Sequence, residues 1–161
     1  MELLVVIAII GILASLMFPA VNGVMNAARK AAAKNDVVQI ANAINMYYTE
    51  YGKLPPVSQN VDSSLVSVLI GTDTNNNPRK ISFLEVSKAS KGRSGTNGSG
   101  DFVDPWQGVY KLAVDSDYDN QVTGGTNGET LRKTVAVWND PAIHTPSATA
   151  AEKKTRYVTS W

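Results

Sequence analysis

The sequence predicts an α+β fold in which one very long N-terminal helix packs on a small antiparallel sheet with long loops. Three observations predict it. The first fifty residues are apolar and Ala-rich, with neither Gly nor Pro after Gly23. From there apolar side chains recur at steps of three and four, which marks one face of a helix. The remainder is rich in Gly, Ser, Thr, Asn and Pro and holds short β-branched and aromatic runs separated by turns.

The helix begins with an almost unbroken hydrocarbon run. Between Leu3 and Val21 the one polar side chain is Ser15, and a helix of that length measures about 28 Å, near the thickness of a bilayer core. Residues 1–23 are therefore expected to form a membrane-spanning half. A secretory signal peptide fits less well, because an acid rather than a basic region precedes the run. That acid, Glu2, stands against hydrocarbon and needs either a partner or a position at the helix start, where the dipole favours it. Gly11, Pro19 and the pair Asn22-Gly23 weaken the helix near its middle. They predict a kink or a hinge.

The second half, residues 24–51, is expected to be amphipathic and to belong to a globular domain over 24–161. Val37, Ile40, Ala41, Ile44, Tyr47, Tyr48 and Tyr51 make one apolar stripe, with Arg29, Lys30, Lys34, Asp36, Gln39 and Asn42 off it. Gly52 followed by Pro55-Pro56 stops the helix. Ser63–Ile70 reads as a short helix capped by Asp62 or Ser63 and ended by Gly71. The stretch after it is turn-rich, Ile81–Val86 is a short apolar element of undetermined type, and "SKGRSGTNGSG" has the composition of a flexible surface loop. Val109–Val114, Thr134–Trp138 and Arg156–Trp161 are the strand candidates.

Composition narrows the chemistry. The formal net charge is +1, with no bias toward nucleic acid. Cysteine is absent, which removes disulfides, thiol catalysis and Cys-ligated metal. His144 is the single histidine, so no histidine-based triad or zinc pair can be built. The chain is not expected to be an enzyme. Asp115, Asp117 and Asp119 alternate like the start of a calcium loop, with Asn120 where such loops turn on Gly. The bidentate Glu that closes such a loop is missing, since Thr126 holds that position and Glu129 comes three residues late. Calcium or a plain Asp- and Asn-rich turn both fit. Lys88, Lys91 and Arg93 lie among Ser and Gly and read as a solvated run that could touch an anionic polymer.

The motifs also carry a resemblance. "ELLVVIAIIGILASLMFPA" resembles the N-terminal helix of type IV pilins and, more closely, of the major pseudopilins of type II secretion. Glu2 matches that family's glutamate, Gly11 its helix glycine and Pro19 its helix proline. "DPWQGVY" at Asp104–Tyr110 is similar to the pseudopilin pattern DPWGxxY with the Gly one place late, and "NPRKISFLE" and the terminal "VTSW" match as well. The family pattern sets a basic leader and Phe-Thr-Leu before the glutamate. This sequence starts at Met1 instead, which reads as an internal start or a truncation.

The resemblance implies a subunit stored in the bacterial inner membrane as a single-pass protein, with its C-terminal domain in the periplasm. It would polymerise through its helix into a periplasmic or extracellular filament. Implied partners are further copies of the chain, an inner-membrane assembly platform, minor pseudopilins and, before assembly, lipid. Glu2 would pair with the N-terminal amine of the adjacent subunit, and Gly11 and Pro19 would serve assembly. Major pseudopilins hold calcium in an acidic loop before the last strand, and here that loop has only Asp140 and Glu152 as acids. A surface pilin, or a membrane-anchored calcium-dependent binding module, are the alternative readings.

Overall fold

The computed structural model of the chain describes residues 2–141 and 148–161; the side chains of Glu2 and of residues 16–20 lie outside the description, as does His144. Helix α1 runs unbroken from Glu2 to Tyr51. Neither Gly11 nor Pro19 ends it. The helix stops where expected, with Gly52 at φ 66° and its N–H donating to the Tyr48 carbonyl at 2.8 Å, a glycine closure of the last turn. Among the described residues no helix is long and apolar enough to cross a membrane. Within the expected span the described backbone is helical from Glu2 onward, while residues 16–20 contribute no described side chain.

Packing on α1 begins with Ala33 and continues through Val37, Ile40, Ala43, Ile44 and Tyr47, each essentially buried. This is the stripe read from the periodicity, extended by two alanines. Before Ala33 the described side chains are exposed except for half-buried Arg29. Tyr47 and Tyr51, at the end of the stripe, also hold a loop. Tyr47 donates its hydroxyl to the Asn76 carbonyl at 2.7 Å and Tyr51 to the Asn77 side chain at 2.7 Å, with Phe83 edge-on to both rings. They lock the loop after the second helix against α1.

Helix α2 spans Ser63–Leu69, with the Asp62 carboxylate accepting from the Leu65 N–H at 3.0 Å and Gly71 at φ 81° just beyond. Leu65, Val66, Val68 and Leu69 are buried. Six short strands follow as three antiparallel pairs. β1 (Gly95–Thr96) pairs with β2 (Phe102–Val103). β3 (Lys111–Val114) pairs with β6 (Val135–Trp138), Leu112 opposite Val137. β4 (Val122–Gly124) pairs with β5 (Glu129–Leu131). β6 faces α1, and the core lies between them.

Three expectations change. The glycine-rich loop is tied down: the Thr96 N–H donates to the Ser87 carbonyl at 2.8 Å and the Ala89 N–H to the Thr96 carbonyl at 2.9 Å, and Gly95 at φ 147° approaches the Ser87 carbonyl so closely that no Cβ would fit. Ile81–Val86 adopts no regular structure, yet Leu84 is buried and the Phe83 and Leu84 N–H groups both donate to the Leu69 carbonyl. Arg156–Trp161 is not a strand. Ala150–Arg156 forms a third helix, α3, because Thr149 and Glu152 make a reciprocal capping box before a run of good helix formers. Only a single bridge, Trp138 to Thr159, remains of the expected pairing.

Candidate functional site

Four polar side chains are fully buried among the described residues: Asn77, Asp104, Asp115 and Asn139. Each holds a turn. Asp104 explains the "DPWQG" motif, since one oxygen accepts from the Trp106 and Gly108 N–H groups, both at 2.8 Å, and the other from the Asn139 amide at 3.0 Å. Asn139 then binds the Arg156 carbonyl and accepts from the Val158 N–H at 2.9 Å. The turn before β3 is thereby tied to the C-terminal segment. Gln107 sits at φ 71°, the position where the pseudopilin pattern has Gly. Its left-handed backbone is costly for a residue with a Cβ, and its amide donates to the Ser90 carbonyl at 3.0 Å, pinning the glycine-rich loop.

Asp36 was expected on the polar face of α1, but it is half-buried. The Tyr110 hydroxyl donates to it at 2.9 Å, and Ser94 also hydrogen-bonds its carboxylate. Burial pushes the Asp36 carboxyl above its ordinary value of 3.8, more than these hydrogen bonds lower it, and Asp104 adds to the rise. Burial and the adjacent carboxylate also push the Tyr110 phenol far up. Between the unfolded and the raised folded value the native state holds the Asp36 proton more tightly. Its contribution is therefore complete below 3.8 and declines as pH rises through the folded value. Asp36→Asn keeps an acceptor for both hydroxyls and removes the ionisation. The variant should melt at or above the parent at neutral pH and converge with it in acid, as thermal melts across pH would show. Asp73 and Glu152 are held low by hydrogen bonds from Asn76 and Thr149, and contribute oppositely, but they are common to both proteins and cancel in the difference.

The acidic loop after β3 brings its three carboxylates together. Asp115, Asp117 and Asp119 each offer an oxygen, all within 4.8 Å of one another. Asp115 is buried and accepts from the Asp119 and Asn120 N–H groups at 3.0 and 2.8 Å. Asn120 is at φ 62°, the left-handed backbone that its place in the motif requires. Glu129 does not join them. It lines a separate cleft with Lys30, Lys34 and Tyr157. In the other loop considered for calcium, Glu152 is committed to capping α3 and lies 3.9 Å from Arg156.

Among the described residues, nothing covers the N-terminal end of α1. Leu3, Ile10, Ile12 and Leu13 are each more than half exposed, and so are Val21 and Val24. A Cβ at Gly11 would meet nothing within 4 Å. Ser15 satisfies its hydroxyl within the helix by donating to the Ile12 carbonyl at 2.8 Å. The Glu2 carboxylate and the Pro19 ring lie outside the described side chains.

A bare apolar helix carried by a small α+β domain defines a class of protein built to bury that helix in something else. Comparison with known proteins gives the resemblance its particular form. The chain is 40% identical over 63 residues to the type II secretion system core protein G of Escherichia coli strain K12, which is 39% of this chain and 43% of that protein. It is 38% identical over 63 residues to the protein of the same name from Aeromonas hydrophila, covering 39% and 44% of the two chains. For that of Pectobacterium carotovorum subsp. carotovorum the identity is 30% over 78 residues, 48% and 50%. The aligned region thus spans about half the length of the curated relatives or less. No protein-family model matches the chain. No solved structure matches it.

Proposed function

We infer that this protein is a structural subunit of a type II secretion filament, not an enzyme. It would be held as a single-pass protein of the inner membrane with its domain in the periplasm, then polymerise through α1. The observation that carries this reading is the exposed apolar half of α1, joined without a break to a folded domain. Burying such a surface contributes about 25 cal/mol per Å², and lipid and copies of the same helix are the two environments that supply it. Similarity to secretion core proteins supports the second as the working state. Glu2 then selects register: a carboxylate in low dielectric is tolerated when paired, and the partner is the N-terminal amine of the next subunit.

The test is Glu2→Ala in a protein supplied with a processed leader, in a secretion-competent host. Membrane insertion should be unchanged or improved, while the ladder of cross-linked oligomers collapses to monomer. Normal ladders for the variant would remove the pairing role.

Calcium at the acidic loop is a second property of the same domain, supported by the convergence of three hard oxygen donors. The ion would bind the folded state alone, so raising calcium should raise the melting temperature of the detergent-solubilised chain. The gain is about 2.7 kcal/mol at a hundredfold excess over Kd. Asp117→Asn should lose most of that shift. Identical melts in calcium and in chelator would dismiss the site.

A further inference from the structure

The basic residues of this chain are unevenly placed. Residues 3–35 and 86–100 together hold Arg29, Lys30, Lys34, Lys88, Lys91 and Arg93 and no Asp or Glu, in a chain with 15 basic and 14 acidic side chains. The fold brings the two stretches to one end of the domain. Gly92, at φ 81°, lies against the Arg29 guanidinium, whose terminal nitrogen would be 3.1 Å from a Cβ there. Arg29 and Arg93 line one cleft of about 370 Å³ with Met25, Ala28, Ser87 and Ser94. The Arg29 Nε is buried and, among the described residues, has no hydrogen-bond partner. A buried donor without an acceptor is costly, and a guanidinium fork matches phosphate oxygens.

This end of the domain is the one nearest the apolar run. Arg29 follows Val21 by eight residues, about 12 Å along the helix axis. Helical side chains lean toward the N-terminus, so the guanidinium of Arg29 is carried back toward the run. With the run in a bilayer core, the headgroup layer is about 5–7 Å deep, so the Arg29 backbone lies just beyond that layer and its side chain reaches back toward it. Lys34 is engaged elsewhere, donating to the Thr159 and Trp161 carbonyls. Lys30, Lys88, Lys91 and Arg93 are exposed, and among the described residues no carboxylate pairs with them.

We propose that this face binds anionic phospholipid headgroups, with the Arg29–Arg93 cleft seating a lipid phosphate and Lys88 and Lys91 adding attraction around it. The surface would hold the domain down on the membrane before assembly and fix which side of it faces the lipid. The proposal rests on the reading that α1 is stored in a bilayer. Each basic side chain near an anionic surface is worth about a fivefold change in surface partitioning.

The absence of cysteine allows one unique label. The full chain carrying Ser90→Cys with a fluorophore would be reconstituted in phosphatidylcholine vesicles, with or without phosphatidylglycerol, each containing a headgroup-attached quencher. Quenching should be stronger with phosphatidylglycerol, fall with salt, and drop about 25-fold in partitioning for Arg29→Gln with Arg93→Gln. Co-flotation with neutral vesicles after an alkaline wash reports the bilayer reading separately. A chain that does not float overturns that reading and the proposal with it. A chain that floats but is quenched equally in neutral and anionic vesicles, or equally with and without the two arginines, overturns the proposal alone. So does inorganic phosphate abolishing the lipid difference at constant ionic strength, which would make free phosphate the ligand. Quenching in neutral vesicles that grows with protein density would assign the face to a second copy, and would also overturn it.

Discussion

Asp104→Ala should be among the most damaging single changes in the globular domain, lowering stability by about 3–5 kcal/mol. The carboxylate is 1% exposed and satisfies the Trp106 and Gly108 N–H groups and the Asn139 amide together. Alanine leaves these donors facing a cavity, and each buried unpaired donor costs about 1–3 kcal/mol. The damage should spread to the C-terminal segment, because Asn139 is also the bracket for Val158 and Arg156. Asp104→Asn retains one carbonyl oxygen and should lose less. For a domain of this size the alanine variant should melt roughly 10–20 °C lower. Calorimetry on the two variants checks the ordering, and equal melting temperatures for Asp104→Ala and the parent would show that the turn is held by something else.

The second large effect concerns length. Residues 11–19 should be helical in the isolated subunit and lose helical hydrogen bonding in the assembled fibre. The described backbone is helical throughout that stretch, which suits the proposed storage in lipid, since hydrocarbon offers unpaired peptide groups no partner. Pro19 lacks the N–H that would bond the Ser15 carbonyl, and Gly11 adds a further weak point. Packed among neighbouring helices, the stretch has polar groups other than its own to meet. Extending half of it adds about 2 Å per residue, roughly 8 Å per subunit. A filament map resolving the backbone measures this directly. Unbroken helix through Ser15 in that map would refute it, and Pro19→Ala fibres should be stiffer under extension.

Both predictions use features that were legible to different degrees. The long helix could be read because its periodicity, its lack of Gly or Pro after Gly23 and its stop at Gly52 agree with one another. Asp62 and Gly71 marked α2 for the same reason. Asn120 could be placed in a left-handed turn from the Asp alternation alone. The last segment was misread because two local signals overlap there. Val158 and Thr159 favour a strand, while the capping box at Thr149 and Glu152 starts a helix that runs to Arg156. Asp36 could not be assigned, since its partner Tyr110 is 74 residues away and nothing local distinguishes it from a solvated acid. The cleft of Arg29 and Arg93 has the same origin: loop and helix meet there only in the fold.

The continuity of α1 also has a rotational meaning. A helix advances about 100° per residue, so an unbroken shaft from Glu2 to Tyr51 sets the azimuth of the domain relative to every side chain of the apolar end. Removing one residue between Val21 and Arg29 would shorten the shaft by only 1.5 Å. It would nevertheless swing the domain by more than a quarter turn, carrying its basic face away from its former bearing. Removing seven would nearly restore the angle while lowering the domain by about 10 Å. Angle and height are thus set together by one residue count. An opened stretch at Gly11–Pro19 would act on both: the domain could then turn and rise without changing the phase of the residues below it.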